Sequence, residues 1–206
     1  MLSDTDLSLV RSFEQGQVTD CPFSTVTAAF YHHASSYPDA IAARDMSCSP
    51  AKELTYEELA AQAQSLAVKL RDLGVGPGDR VPLLVKRGLD MVLGIWAVLS
   101  CGAQYVPLDG GVVPETTIRT VVKQAGGFVV LCTSSTESRL RDLGHHFENL
   151  VPVLIDQHRE SMSNSGDLPT GDTILDLATA DGGCYVIYTS GKILEYPFTY
   201  SVLPSY

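Results

Sequence analysis

The sequence has few cysteines and does not cluster them. Cys21, Cys48, Cys101, Cys132 and Cys184 form no Cys-x-x-Cys pair and no Cys/His group with metal-site spacing, which argues against a zinc-stapled module and fits reduced thiols in a cytoplasmic protein. Basic residues are also scarce. Fourteen Lys and Arg stand against 24 Asp and Glu, a formal charge of −10, so the chain carries no electrostatic footprint for nucleic acid or an anionic membrane. Long apolar runs are missing too: the longest, residues 91–99, spans about nine positions, where a bilayer-crossing helix needs roughly 20. Residues 1–17 are acidic and polar, without the basic-then-apolar layout of a secretory signal. None of this excludes a nucleotide, because backbone N–H groups at a helix N-terminus hold phosphate whatever the net charge.

What is present is enough apolar material for a core. With 45% hydrophobic and 18% charged residues in 206, the chain can form one well-packed domain or a piece of a larger one. Residues 1–23 read as a polar lead-in. A helix is expected over 24–35, with Val26, Ala29, Phe30 and His33 on one side. Residues 41–53 suit an edge hairpin. The clearest helix runs over 56–73: Leu59, Ala63, Leu66, Leu70 and Leu73 recur at helical spacing, Thr55 and Glu58 form a capping box, and Gly74 supplies a left-handed stop.

From there strand and helix alternate. Strands are expected at 80–86, 105–108, 128–132 and 151–155, and helices at 88–100, 114–124 and, weakly, 138–143. Pro82 argues that the first of these strands is an edge or that it begins there. Residues 157–172, rich in Ser, Gly, Asn and Pro, read as a linker. Alternation with short connections predicts an α/β fold, a mainly parallel sheet flanked by helices. Trp96 falls on the core side of its helix with Leu89, Val92, Leu93 and Leu99. Cys101 and Cys132 read as inert apolar filling. His32-His33 and His145-His146 have no carboxylate at a telling spacing and read as surface residues.

Ligands of such sheets sit beyond the carboxyl ends of the strands. Two segments fit that position: Tyr105 to Gly111, a strand opening into a glycine turn behind Asp109, and Tyr185 to Gly191, a β-branched strand running into Thr189, Ser190 and Gly191. Taken alone, the first reads as a turn. The second has the hydroxyls and glycine of a phosphate-cradling loop but lacks the downstream glycine and lysine.

Three segments, in order, resemble the first three core motifs of the amino-acid adenylation domains of nonribosomal peptide synthetases, members of the adenylate-forming AMP-dependent synthetase/ligase superfamily. Leu54-Thr55-Tyr56-Glu57-Glu58-Leu59 is similar to the first. Leu99 to Asp109 is similar to the second, with Ser100 for the usual lysine, Cys101 and Gln104 for alanines, and Tyr-Val-Pro-Leu-Asp intact. Tyr185 to Gly191 is similar to the third up to its first glycine, after which Lys192, Ile193, Leu194 and Glu195 depart from it.

The resemblance implies a truncated N-terminal part of that fold over residues 24–191, followed by an unrelated tail over 192–206. It implies an enzyme that condenses a carboxylic acid, an amino acid by the intact second motif, with ATP and Mg²⁺ to an acyl-adenylate for a carrier-protein thiol. Thr189, Ser190 and Gly191 would begin the ATP phosphate loop; no residue is assigned to a catalytic step or a metal. An acyl-CoA or aryl-acid ligase, or a non-catalytic interaction fragment, are the alternatives. Alone, the chain is expected to be inactive.

Gly191-Lys192 can be encoded GGT-AAG, and GTAAG commonly opens an intron, so residues 192–206 are expected to be intron read as protein. Sequencing the transcript across the Gly191 codon tests this. A spliced form should continue into threonine, glycine and proline-lysine-glycine; transcripts that all encode Lys192 to Tyr206 and then stop would refute it.

Overall fold

The computed structural model describes residues 3–14, 16, 20–126, 128–141, 147, 149–165, 174–188 and 198–201. The polar lead-in contains a helix, α1 (Asp4–Glu14). Ser3 and Asp6 start it by mutual capping: the Ser3 hydroxyl and N–H donate to Asp6 Oδ2 at 2.6 and 3.0 Å, and Asp6 N–H donates to Ser3 Oγ at 3.2 Å. Helix α2 (Val26–Ser36) follows, capped by the Thr25 hydroxyl. Its inward face is rotated from the expected one: Thr27, Phe30, Tyr31 and Ala34 are buried, while Val26 and His33 are exposed. Polar partners cause the rotation. Thr27 donates to Asp176 at 2.8 Å, and the Tyr31 and Ser100 hydroxyls lie 2.6 Å apart.

The expected hairpin is β1 (Ile41–Asp45) paired antiparallel with β2 (Lys52–Thr55). It runs straight into α3 (Tyr56–Asp72), whose capping box is complete, with Glu58 N–H to Thr55 Oγ1 at 3.2 Å and Thr55 N–H to Glu58 Oε2 at 2.8 Å. A cap of this kind contributes about 1 kcal/mol. Gly74 ends the helix at φ +91°.

The remaining elements are β3 (Arg80–Val85), α4 (Leu89–Ser100), β4 (Gln104–Asp109), α5 (Glu115–Ala125), β5 (Val129–Cys132), α6 (Ser138–Arg141), β6 (Val151–Leu154), α7 (Ile155–Ser165), β7 (Gly183–Ile187) and β8 (Phe198–Ser201). The main sheet has the order β6-β5-β3-β4-β7-β8; all pairings are parallel except β7 with β8. One face carries α2, α3, α4 and α7 over a core that includes Leu59, Leu66, Leu83, Leu93, Leu131 and Ile155. The other carries α5 and α6 over Leu84, Ile118, Val121, Val130 and Leu140.

Two expectations are corrected here. Pro82 is not on an edge, because β3 lies between β5 and β4; the β5 ladder begins only at Leu83, so the missing N–H falls before it. Residues 157–165 are not linker but most of α7, held by polar pairs rather than an apolar stripe: His158 Nε2 lies 3.0 Å from Ser65 Oγ, and Arg159 pairs with Asp90 at 3.0 Å. Residues 166–173 lie outside the described residues.

A clasp ties the approach to β7 onto the helix layer. Gln64 exchanges hydrogen bonds with the backbone of Leu175 at 2.7 and 3.0 Å and also donates to Tyr31 Oη, and Leu177 N–H donates to the Ser100 carbonyl at 2.9 Å. Gly102, at φ +70°, lets this strand of backbone pass: a Cβ there would lie 2.6 Å from the Leu177 carbonyl oxygen. Gly102→Ala should therefore lose about 1–3 kcal/mol of stability. Urea denaturation checks this, and an unchanged midpoint would show that the clasp yields.

Candidate functional site

Five parallel strands bring their carboxyl ends to one rim, which is where this class of sheet binds ligands. The strands of the two segments singled out by sequence are neighbours in the sheet. β4 pairs with β7 in parallel register, Tyr105 opposite Tyr185, with ring centroids 5.6 Å apart. β7 ends at Ile187, followed by Tyr188. Thr189, Ser190 and Gly191 lie outside the described residues, as do His145 and His146.

The loop after β4 is built to stay in one place. Asp109 Oδ1 accepts from Gly111 N–H at 2.9 Å, and its backbone carbonyl accepts from Val112 and Val113 at 3.2 and 3.0 Å, so it closes the turn. Gly110 is buried and donates to the Val85 carbonyl at 3.0 Å; a Cβ on it would lie 2.7 Å from Thr136 Cγ2 and 3.1 Å from the Val85 carbonyl carbon. Thr136, also buried, donates to the Leu84 carbonyl at 2.7 Å. Arg139 reaches over from α6 to the Gly110 carbonyl at 2.9 Å and to that of Val113. Asp109 is thus a turn residue at the rim, with Arg87 Nε 3.9 Å from it.

Thr136 and Arg139 were not singled out by sequence. Their partners lie 52 and 29 residues away, and no local motif marks them.

Other expectations hold in packing terms. Trp96 is half-buried and stacked on Phe30, centroids 4.0 Å apart at 11°. Ser100, which stands in the motif's lysine position, is fully buried and donates to the Trp96 carbonyl at 2.7 Å, a structural role. His32 and His33 are exposed. Burial pushes the thiols of Cys101 and Cys132 up to about 12.

Comparison with known proteins bears on this rim. The profile of the family described as "AMP-binding enzyme" matches residues 30–191, a stretch that contains the hairpin, both sheet faces and both rim segments. The chain belongs to the AMP-binding enzyme family. Relatives of this AMP-binding chain include Adenylate-forming reductase 06235 of Coprinopsis cinerea, 33% identical over 92% of the chain and 17% of the relative. Indigoidine synthase of Streptomyces lavendulae is 32% identical over 82% of the chain and 12% of the relative. Nonribosomal peptide synthetase 5 of Gibberella zeae is 33% identical over 93% of the chain and 2% of the relative. The AMP-binding chain therefore spans less than a fifth of these relatives.

Among solved structures, the nonribosomal peptide synthetase FmoA3 in its AMPPNP-bound form superposes with a TM-score of 0.66 at 27% identity, over 91% of this chain and 18% of that one. A fatty acyl-adenylate ligase of L. pneumophila shares the fold, with a TM-score of 0.66 at 19% identity, 86% of this chain and 30% of that one. No described helix of the AMP-binding chain is long and apolar enough to cross a membrane.

The buried thiols give a prediction. An unfolded cysteine loses its proton near 9.0 and these two hold theirs to about 12, so between those values the folded state binds more protons and stability falls as pH rises. At pH 8 a thiol reagent should modify exposed Cys21 quickly and leave Cys101 and Cys132 protected until denaturant is added. Rapid labelling of either buried thiol in the native protein would contradict the packing.

Proposed function

We propose that these residues form the first sheet of a module that activates a carboxylic acid, an amino acid, by condensing it with ATP to an acyl-adenylate, which then passes to a carrier-protein thiol. The observation that carries this reading is the adjacency of β4 and β7, which sets the motif segment ending in Asp109 beside the strand that leads to Thr189, Ser190 and Gly191. The donor set of that second segment, two hydroxyls and a glycine N–H, fits phosphate oxygens. In this reading it begins the cradle for the triphosphate, and Mg²⁺ accompanies the nucleotide to offset charge as pyrophosphate leaves. We place the protein in the cytoplasm, with neither nucleic acid nor membrane as partner.

What becomes of the acyl-adenylate is settled outside these residues. Relatives named as adenylate-forming reductases and relatives named as peptide synthetases match at the same 33%. The intact Tyr-Val-Pro-Leu-Asp favours the peptide-synthetase reading.

As a polypeptide of 206 residues the chain should give no detectable ATP–pyrophosphate exchange with any amino acid. Joined after Gly191 to the remainder of a peptide-synthetase adenylation domain, residues 24–191 should support it. Exchange by the polypeptide alone would refute the first expectation, and a folded but silent chimera would refute the assignment of the sheet.

A further inference from the structure

The rim holds a second crevice, away from β7. Beyond β3 the chain goes through α4 to β4 on one side; beyond β5 it goes through α6 to β6 on the other. The connections part between β5 and β3, and that topological switch point is where a doubly wound sheet opens a ligand crevice. A cavity of about 210 Å³ lies there, with Lys86 and Arg87 beyond β3, Thr133 and Ser135 beyond β5, and Lys52 from the β1–β2 hairpin in its wall.

Its cations outnumber its carboxylates: Lys52, Lys86, Arg87 and Arg159 stand against Asp45, Asp90 and Asp156. Asp90 forms an ion pair with Arg159 at 3.0 Å, whereas Asp45, accepting from the Ser47 N–H and hydroxyl at 2.9 and 2.6 Å, and Asp156, accepting from Ser134 N–H at 2.9 and 3.1 Å, keep their charge but turn acceptor oxygens toward neutral donors. Among the described residues Lys52 and Lys86 make no ion pair, and Arg87 makes only the 3.9 Å contact with Asp109 while 89% exposed. The wall also includes the start of α4, whose N-cap Gly88 offers no side-chain acceptor to the first-turn N–H groups. In a chain of net charge −10, a cavity wall whose cations outnumber its carboxylates is an exception, and a small anion suits it.

We propose that this crevice binds a small phosphate-bearing anion. Three cations, two hydroxyls and helix N-terminal N–H groups offer more donors than the two oxygens of a carboxylate can accept, and suit the several oxygens of a phosphate. The site is separate from the segment after β7 and does not depend on the acid-activation reading.

The test is titration of inorganic phosphate into the 206-residue protein, carried on a solubility tag, at constant ionic strength, followed by calorimetry. Saturable binding is expected. It should weaken at least about tenfold in Lys86→Gln/Arg87→Gln, since charge-assisted hydrogen bonds are lost, and stay unchanged in Lys123→Gln, which removes one exposed charge elsewhere. Far-UV circular dichroism confirms that the variants are folded. Repeating the titration with glycerol phosphate tells a free-phosphate site from one for a phosphorylated metabolite, according to which binds tighter. No saturable binding, or equal binding in the double variant, overturns the proposal. So does binding that survives Lys86→Gln/Arg87→Gln but is lost in Ser190→Ala, which assigns the anion to the segment after β7.

Discussion

β3 lies between β4 and β5, and its side chains alternate into two separate cores, Leu83 and Val85 into one and Leu84 into the other. A strand buried on both faces and hydrogen-bonded on both edges has no freedom to slip, since a one-residue shift would exchange the two cores. The loops at the rim inherit that fixity. Gly110 binds to the carbonyl of Val85, Thr136 to that of Leu84, and Arg139 closes the set from α6. The glycine turn behind Asp109 and the crevice beside Lys86 both take their positions from the carboxyl end of this one strand.

Much of this was legible in the sequence where the cause is local. The capping box at Thr55 and Glu58, the left-handed stop at Gly74, the hairpin and the alternation of strands and helices depend on neighbours in the chain, and each appears as expected. What was missed depends on partners far away. α7 has polar anchors in Ser65 and Asp90, so no apolar period announces it. α2 turns toward Asp176 and Ser100 for the same reason. Pro82 suggested an edge because a proline shows only its own missing donor, not which neighbour would have accepted it. α1 is a different case, since the serine and aspartate of its cap stand in plain view at positions 3 and 6.

At the site the division is similar. The turn after β4 could be read, because a strand followed by aspartate and two glycines is a local pattern. The residues that immobilise the rim could not. Nor could the cationic crevice, because Lys52 joins Lys86 and Arg87 only when the hairpin meets the sheet.

The clasp formed by Gln64, Leu175 and Leu177 joins α3 and α4 to the backbone just upstream of β7. That makes the helix layer and the strand a single mechanical linkage. Tyr31 on α2 and Ser100 at the end of α4 are thereby joined by hydrogen bonds to the backbone that precedes β7. The strand that leads to Thr189 is therefore anchored twice, through the backbone upstream of it and through its ladder with β4.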